Sequence, residues 1–208
     1  MSRIEFDAGQ VDFAKSGGLV PAIVQSVQTG EVLMLGYMNR EALDHTLKTG
    51  SVTFFSRSKE RLWTKGETSG HTLDLISIAL DCDRDTLLVQ ARANGPTCHT
   101  GTRSCFGETP GPELAFFGEL EAVIAQRADA NPDDSYTARL LGKGMLKVAQ
   151  KVGEEGVETA LAATNEDDDA LLGEASDLVF HLLVLLRARG LTLADVSRTL
   201  QGRHRGQT

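Results

Sequence analysis

The sequence predicts two domains of different class: an N-terminal α+β domain with a mainly antiparallel sheet, and a C-terminal all-α helical bundle. Three observations carry this. Up to position 107, apolar residues gather in short strand-like runs separated by turn signals. Beyond position 112 they recur at helical spacing behind capping residues. Between these stretches Thr109-Pro110-Gly111-Pro112 reads as a linker, and the charge changes across it. Residues 1–107 hold 11 basic and 12 acidic side chains, whereas residues 108–208 hold 10 and 17. The expected boundaries are therefore 1–107, a linker at 108–112, and 113–208.

In the first domain, the runs 19–27 and 31–37 read as strands joined at Thr29-Gly30. Asn39 caps an expected helix from Arg40 to Lys48, closed by Gly50. A further strand is expected over 52–56, and 73–80 should pair with 86–91 across an acidic turn. Residues 57–70 read as a loop rich in cations, hydroxyls and glycine, with the only tryptophan, Trp63.

In the second domain, residues 113–128 carry Leu114, Phe117, Leu120, Ile124 and Ala128 near helical spacing. Ser135 caps a helix beginning at Tyr136, and another runs from about Met145 to Ala163. Gly153 and Gly156 within it each cost roughly 1 kcal/mol relative to Ala, which favours close packing or room for a ligand. Asp167, Asp168 and Asp169 open the next helix, and Arg187 and Arg189 finish it, with the dipole sense correct at both ends. Thr192 starts a short terminal helix.

Composition narrows the function classes. With 41% hydrophobic and 24% charged residues the chain can build ordinary cores. A net charge of −8, with no basic excess in either half, argues against nucleic-acid partners. The longest apolar run, 178–186, is interrupted by His181 and falls short of the ~20 residues a bilayer span needs. No membrane partner is expected. The polar, acidic start is unlike a targeting peptide, so a cytoplasmic location is expected. Three cysteines, an odd number, fit a reducing compartment better than a disulfide framework.

All three cysteines fall between positions 81 and 105. Asp81-Cys82-Asp83-Arg84-Asp85 alternates carboxylates, and Cys98 and Cys105 flank His99 within a loop composition. Thiolates suit a soft cation and carboxylates a hard one, so this stretch offers ligands for both. In the 57–70 loop, Lys65, Thr68 and Ser69 can hold a phosphate while Trp63 stacks on a base.

The stretches 33–39, 55–59, 63–70, 81–85 and 95–101 resemble phosphoribosyl-AMP cyclohydrolase, which opens a purine ring by hydrolysis in histidine biosynthesis. The resemblance implies Zn2+ on Cys82, Cys98 and Cys105, and Mg2+ on Asp81, Asp83 and Asp85. It implies a homodimer whose subunits share the zinc site. Arg57, Trp63, Lys65, Thr68 and Ser69 are the expected substrate-binding residues. A metal with three protein ligands keeps a fourth position for water. Three thiolates leave that site at −1, so a nearby base is expected to assist. His99 is the expected catalytic residue, as base or proton shuttle, the alternative being that it only fixes the loop or a ligand through a hydrogen bond.

In the second domain Glu154, Glu155 and Glu158 include i,i+3 and i,i+4 pairs, and Glu174 and Asp177 follow on the next helix. Packed together, these carboxylates would repel one another without a hard cation such as Mg2+. Arg139, Lys147 and Lys151 are the expected phosphate contacts. The acidic pattern resembles the all-α nucleoside-triphosphate pyrophosphohydrolases. More closely, 135–140 and 150–158 resemble phosphoribosyl-ATP pyrophosphohydrolase. Together the halves resemble a bifunctional histidine-biosynthesis enzyme. It would hydrolyse phosphoribosyl-ATP to phosphoribosyl-AMP and pyrophosphate, then open the adenine ring of that product. Two rivals are a helical house-cleaning pyrophosphohydrolase carrying an inert zinc module, and a metal-stabilised scaffold with neither activity.

Overall fold

The structure, a computed structural model, describes residues 6–107 and 112–206. Within the expected linker, residues 108–111 lie outside the described residues. The chain divides between Phe116 and Phe117 into two compact units, each with its own packing.

The first unit begins with a single 3-10 turn at Ala8–Gln10 and is built on strands β1 (Val20–Ser26), β2 (Val32–Met38), β5 (Leu73–Leu80) and β6 (Leu87–Ala93). Their order in the sheet is β2-β1-β6-β5. β1 and β2 form an antiparallel hairpin, as do β5 and β6. The central ladder between β1 and β6 is parallel, with Ala22 opposite Leu87 and Val24 opposite Val89, so the sheet is mixed. Val20, Ala22 and Val24 alternate inward from β1, and Leu87, Val89 and Ala91 do so from β6. They pack on Ala42 and Leu43 of helix α1 (Arg40–Thr49). Asn39 caps α1 by accepting from the Ala42 amide, and Gly50 closes it in the left-handed conformation.

The 57–70 segment is not all loop. β3 (Thr53–Ser56) and β4 (Arg61–Thr64) form a separate antiparallel pair, with Phe54 opposite Trp63. Glycine at position 36 is what admits this pair, because a Cβ there would lie 2.3 Å from the Phe54 ring.

The second unit is helical. α2 (Ala115–Ala128), α3 (Tyr136–Gly142), α4 (Met145–Asn165), α5 (Asp168–Ala188) and α6 (Leu193–Arg205) follow in order. α4 and α5 form a hairpin joined at Asp167, whose carboxylate accepts from the Ala170 amide. Ile124, Leu140, Val148, Leu183 and Val184 are its buried core. Glycine in α4 is not explained by close packing. Among the described residues a Cβ on Gly153 would meet nothing within 4 Å, and one on Gly156 would touch only Leu178, at 3.9 Å. No helix among the described residues is long and apolar enough to cross a membrane.

Candidate functional site

Metal-capable side chains gather separately in each unit. In the first, the turn between β5 and β6 brings ligand oxygens of Asp81, Asp83 and Asp85 within 4.8 Å of one another. Asp81 builds the turn, since its Oδ1 accepts from the amides of Asp85 and Thr86. Partial desolvation raises the pKa of Asp81, but these amides outweigh it and leave the carboxyl below its ordinary value. Arg84 takes a left-handed conformation at φ 68°, and its carbonyl accepts from the Asp12 amide. That contact brings Lys15 onto the acidic group. Its ammonium pairs with Asp83 and with Asp85, the latter at 2.8 Å, and hydrogen bonds to both carboxylates raise its pKa.

The cysteine loop follows β6. Its amides fold it on itself, Cys98 N–H donating to the Thr102 carbonyl and Thr97 N–H to that of Arg103. It is clamped to β2 through Cys105 N–H to the Leu33 carbonyl and Ser104 Oγ to the Val32 carbonyl. Buried Glu31 adds an ion pair to Arg103 at 2.7 Å. The Thr100 hydroxyl, 3.1 Å from Cys98 Sγ, acts with the Thr100 amide and the Thr102 hydroxyl to lower the Cys98 pKa to about 6. Burial and the neighbouring Cys98 thiol push Cys105 the other way. His99 is exposed, its Nδ1 3.8 Å from Cys98 Sγ. Cys82 is exposed in the acidic turn. Among the described residues, no group of three metal-capable side chains within 4.8 Å includes a thiol. One chain therefore does not bring Cys82 together with Cys98 and Cys105.

The expected substrate residues divide into three places. Trp63 stacks on Phe54 at 5.5 Å and borders two cavities. One, of about 320 Å3, is also lined by Tyr37, Phe55 and Arg57, whose guanidinium lies 3.9 Å from the Tyr37 ring centroid. The other, of about 250 Å3, is lined by Lys59, Arg61 and Thr68. Ser69 sits in the adjoining turn, where its hydroxyl accepts from the His71 amide. Lys65 instead turns inward. It is buried and donates to the His71 carbonyl at 2.9 Å. Burial lowers its pKa, and the thiols of Cys105 and Cys98 act in the opposite direction.

In the helical unit, Glu155 and Glu158 from α4 meet Glu174 from α5, with ligand oxygens within 4.8 Å of one another. Glu155 is buried. Desolvation and the charges of Glu155 and Glu174 raise the pKa of Glu158, the signature of crowded carboxylates. Lys151 supplies a counter-charge at 2.5 Å from Glu155 and 3.0 Å from Glu154. Glu154 stands beside this group rather than in it: Lys151 holds its pKa down, and its Oε1 accepts from Gln150. Asp177 is likewise outside the group, and its backbone carbonyl lies 2.9 Å from His181 Nδ1. Lys147 donates to Gln150, and exposed Arg139 lies 5.9 Å from the Tyr136 ring centroid.

Two side chains at these sites were not expected from the sequence. Lys15 reaches the acidic turn through tertiary structure, and no local pattern marks it. His181 had a signal, an isolated histidine within a very apolar helix, which needed a partner to become informative.

Two packed units, each with its own carboxylate cluster that could hold a metal ion, give a two-centre arrangement of the kind a bifunctional hydrolase would use. The phosphoribosyl-AMP cyclohydrolase family model matches residues 34–107, and the phosphoribosyl-ATP pyrophosphohydrolase model matches residues 117–204. The histidine biosynthesis bifunctional protein HisIE of Xylella fastidiosa is 59% identical over 195 residues, covering 94% of this chain and 93% of the relative. The protein of the same name from Escherichia coli is 60% identical, covering 94% and 96%. That from Salmonella typhimurium is 59% identical with the same coverage. The chain belongs to this bifunctional histidine-biosynthesis family. It is a hydrolase with two activities, the cyclohydrolase N-terminal and the pyrophosphohydrolase C-terminal.

Proposed function

We propose that residues 1–107 carry the cyclohydrolase and 113–208 the pyrophosphohydrolase, joined at 108–112, and that each activity uses its own metal centre. The helical domain hydrolyses phosphoribosyl-ATP to phosphoribosyl-AMP and pyrophosphate. The sheet domain opens the adenine ring of that product. The single observation behind this division is that each separately packed unit gathers its own triad of carboxylates.

The donor sets fit the expected ions. Asp81, Asp83 and Asp85 offer only oxygens, as do Glu155, Glu158 and Glu174, which suits Mg2+. Glu154 and Asp177 flank the second group and would act in its outer shell or on waters. Cys98, with its pKa lowered to about 6, and adjacent Cys105 suit Zn2+, which binds thiolates. Cys82 stands apart from them within one chain, which favours a homodimer whose subunits complete the zinc site together. Exposed Leu146, Val157, Leu161 and Leu172 on the helical hairpin favour a second copy as well. The hairpin also suits the all-α pyrophosphohydrolase architecture.

In the sheet domain, Trp63 and Arg57 border a cavity suited to a flat base and its ribosyl phosphate. Thr68 and Ser69 offer hydroxyls on the other side of Trp63, toward phosphate. Lys65 serves the site electrostatically, placing a buried cation against the thiol pair. His99, exposed beside Cys98, is the group that moves the proton between water and the departing ring nitrogen. Zinc bound there would supply Lewis-acid activation of water. In the helical domain Lys151, Lys147 and Arg139 neutralise and orient the phosphate chain. Magnesium would offset the charge of the released pyrophosphate.

The test follows pyrophosphate and ring-opened product separately, with phosphoribosyl-ATP as substrate. Cys98→Ala should still release pyrophosphate but accumulate phosphoribosyl-AMP. Glu155→Ala should stop pyrophosphate release yet open supplied phosphoribosyl-AMP. If either variant lost both activities while remaining folded, the division of labour would be refuted.

A further inference from the structure

The helical unit holds a buried titratable side chain that no step above uses. His181 on α5 is 5% exposed and lies between Tyr136 of α3 and Glu155 of α4. Its Nδ1 is 2.9 Å from the Asp177 backbone carbonyl oxygen. A carbonyl only accepts, so Nδ1 carries the hydrogen. In the tautomer with its one ring hydrogen on Nδ1, Nε2 is an acceptor, and the Tyr136 hydroxyl donates to it across 3.0 Å. The same Nδ1 edge is 3.7 Å from Glu155 Oε1, in the carboxylate group.

Tyr136 is nevertheless 45% exposed. Its hydroxyl is anchored in the interior while its ring reaches the surface. Phe180 lies 6.2 Å from it, tilted, and the His181 ring is set edgewise at 6.1 Å. The Arg139 guanidinium lies over the Tyr136 ring, 5.9 Å from its centroid, and the Arg139 Nη1 donates to the Pro132 carbonyl at 3.5 Å. One buried imidazole therefore holds an exposed aromatic face in register with the carboxylates. An unanchored surface tyrosine would have no such register.

We propose that Tyr136 contacts the substrate of the pyrophosphohydrolase site, its ring receiving the flat purine base, and that His181 is a positioning residue acting through Tyr136. The inference rests on Glu155 belonging to that site, as argued above. The aromatic face takes the base because stacking needs only a flat π-surface. Exposed Arg139, whose contact to the Pro132 carbonyl is a long 3.5 Å, turns from the ring to the phosphate attached through the ribose. His181 fixes the angle of the ring, so its loss acts on binding of the substrate before it acts on chemistry.

Steady-state pyrophosphate release from phosphoribosyl-ATP tests this, with the calorimetric transition of the helical unit as the measure that this unit is folded. Tyr136→Ala should raise KM roughly 10–100-fold, the range of a lost base stack, with a much smaller change in kcat. Tyr136→Phe keeps the ring and loses the tether, and should raise KM by a smaller factor. His181→Asn retains an N–H for the Asp177 carbonyl but is too short to reach Tyr136. It should match Tyr136→Phe, and the double variant should be no worse than either single one. An unchanged KM in Tyr136→Ala, or a double variant whose losses multiply, overturns the proposal.

Should His181→Asn fail to fold, 15N NMR of the wild-type imidazole decides the point. A protonated Nδ1 and a bare Nε2, with the Nε2 resonance moving in Tyr136→Phe, are expected. Protonation at Nε2 alone overturns it. Glu155→Gln, measured in parallel, separates the two readings. If it retains wild-type kcat, the carboxylate assignment fails. If it is inactive while Tyr136→Ala keeps its KM, only the present inference fails.

Discussion

The two metal-capable groups of this chain are built in opposite ways. In the sheet unit the three aspartates belong to one five-residue turn, and backbone amides aimed at Asp81 hold the turn in shape. In the helical unit the carboxylates come from two helices, 16 to 19 positions apart in sequence, and meet only because α4 packs on α5. Their counter-charges reverse this pattern. Lys15 arrives at the aspartate turn from 68 positions away, whereas Lys151 is four residues from Glu155 on the same helix. The comparison teaches that a locally built ligand set can borrow its neutralising charge from a distance. A set built by helix packing carries its own.

The largest expected effect tests whether the units are independent. Phe54 is 1% exposed, lies over Gly36 and stacks on Trp63. Phe54→Ala should cost about 3–5 kcal/mol in the sheet unit. Calorimetry should show one transition moving down while the helical transition and pyrophosphate release stay in place. A common shift of both would mean that the units unfold as one and that the contrast between them is only geometric. A smaller effect separates the two lysines. Lys15→Met leaves the aspartate turn without its counter-ion, so Mg2+ should bind that turn about 5-fold tighter by titration calorimetry, the scale of one exposed ion pair. Unchanged or weaker binding would show that Lys15 helps shape the turn rather than competing with the ion.

How much of this was legible in the sequence follows the same division. Asn39 and Gly50 mark α1 correctly at both ends because capping chemistry is local. The Asp81, Asp83 and Asp85 cluster is legible for the same reason. β4 was hidden because charged residues on both sides, with Thr64 and Gly66, surround Leu62 and Trp63, which become a strand only by pairing with Phe55 and Phe54. The parallel pairing of β1 with β6 was also hidden, since alternation reveals which face is buried but not which strand lies alongside. On α4, spacing alone admitted Glu154 with Glu155. Packing turned Glu155 inward toward Glu174 and left Glu154 with Lys151 and Gln150. His181 acquires a meaning only when Tyr136, 45 positions earlier, is folded against it.

The smallest effect concerns α6, where a local device can be isolated from helix packing. Thr192 and Asp195 form a reciprocal capping box: the Thr192 hydroxyl accepts from the Asp195 amide, and the Asp195 carboxylate accepts from the Thr192 amide. Hydrogen bonds from the Thr192 hydroxyl and amide hold the Asp195 pKa below its ordinary value of 3.8. A depressed carboxylate pKa gives stability that is present above the unfolded value and fades as pH falls through the folded one. At neutral pH, Thr192→Ala removes the capping hydroxyl and should weaken the start of α6, read as faster amide exchange in the first turn. On acidification the wild-type protection should fall toward that of the variant. Asp195→Asn should show no such acid step in the same amides. If the protection of wild type and Asp195→Asn fell together with pH, the acid sensitivity would belong to the packing of α6 on its neighbours. The start of that helix would then be governed by tertiary contacts, as the carboxylate group of α4 and α5 is.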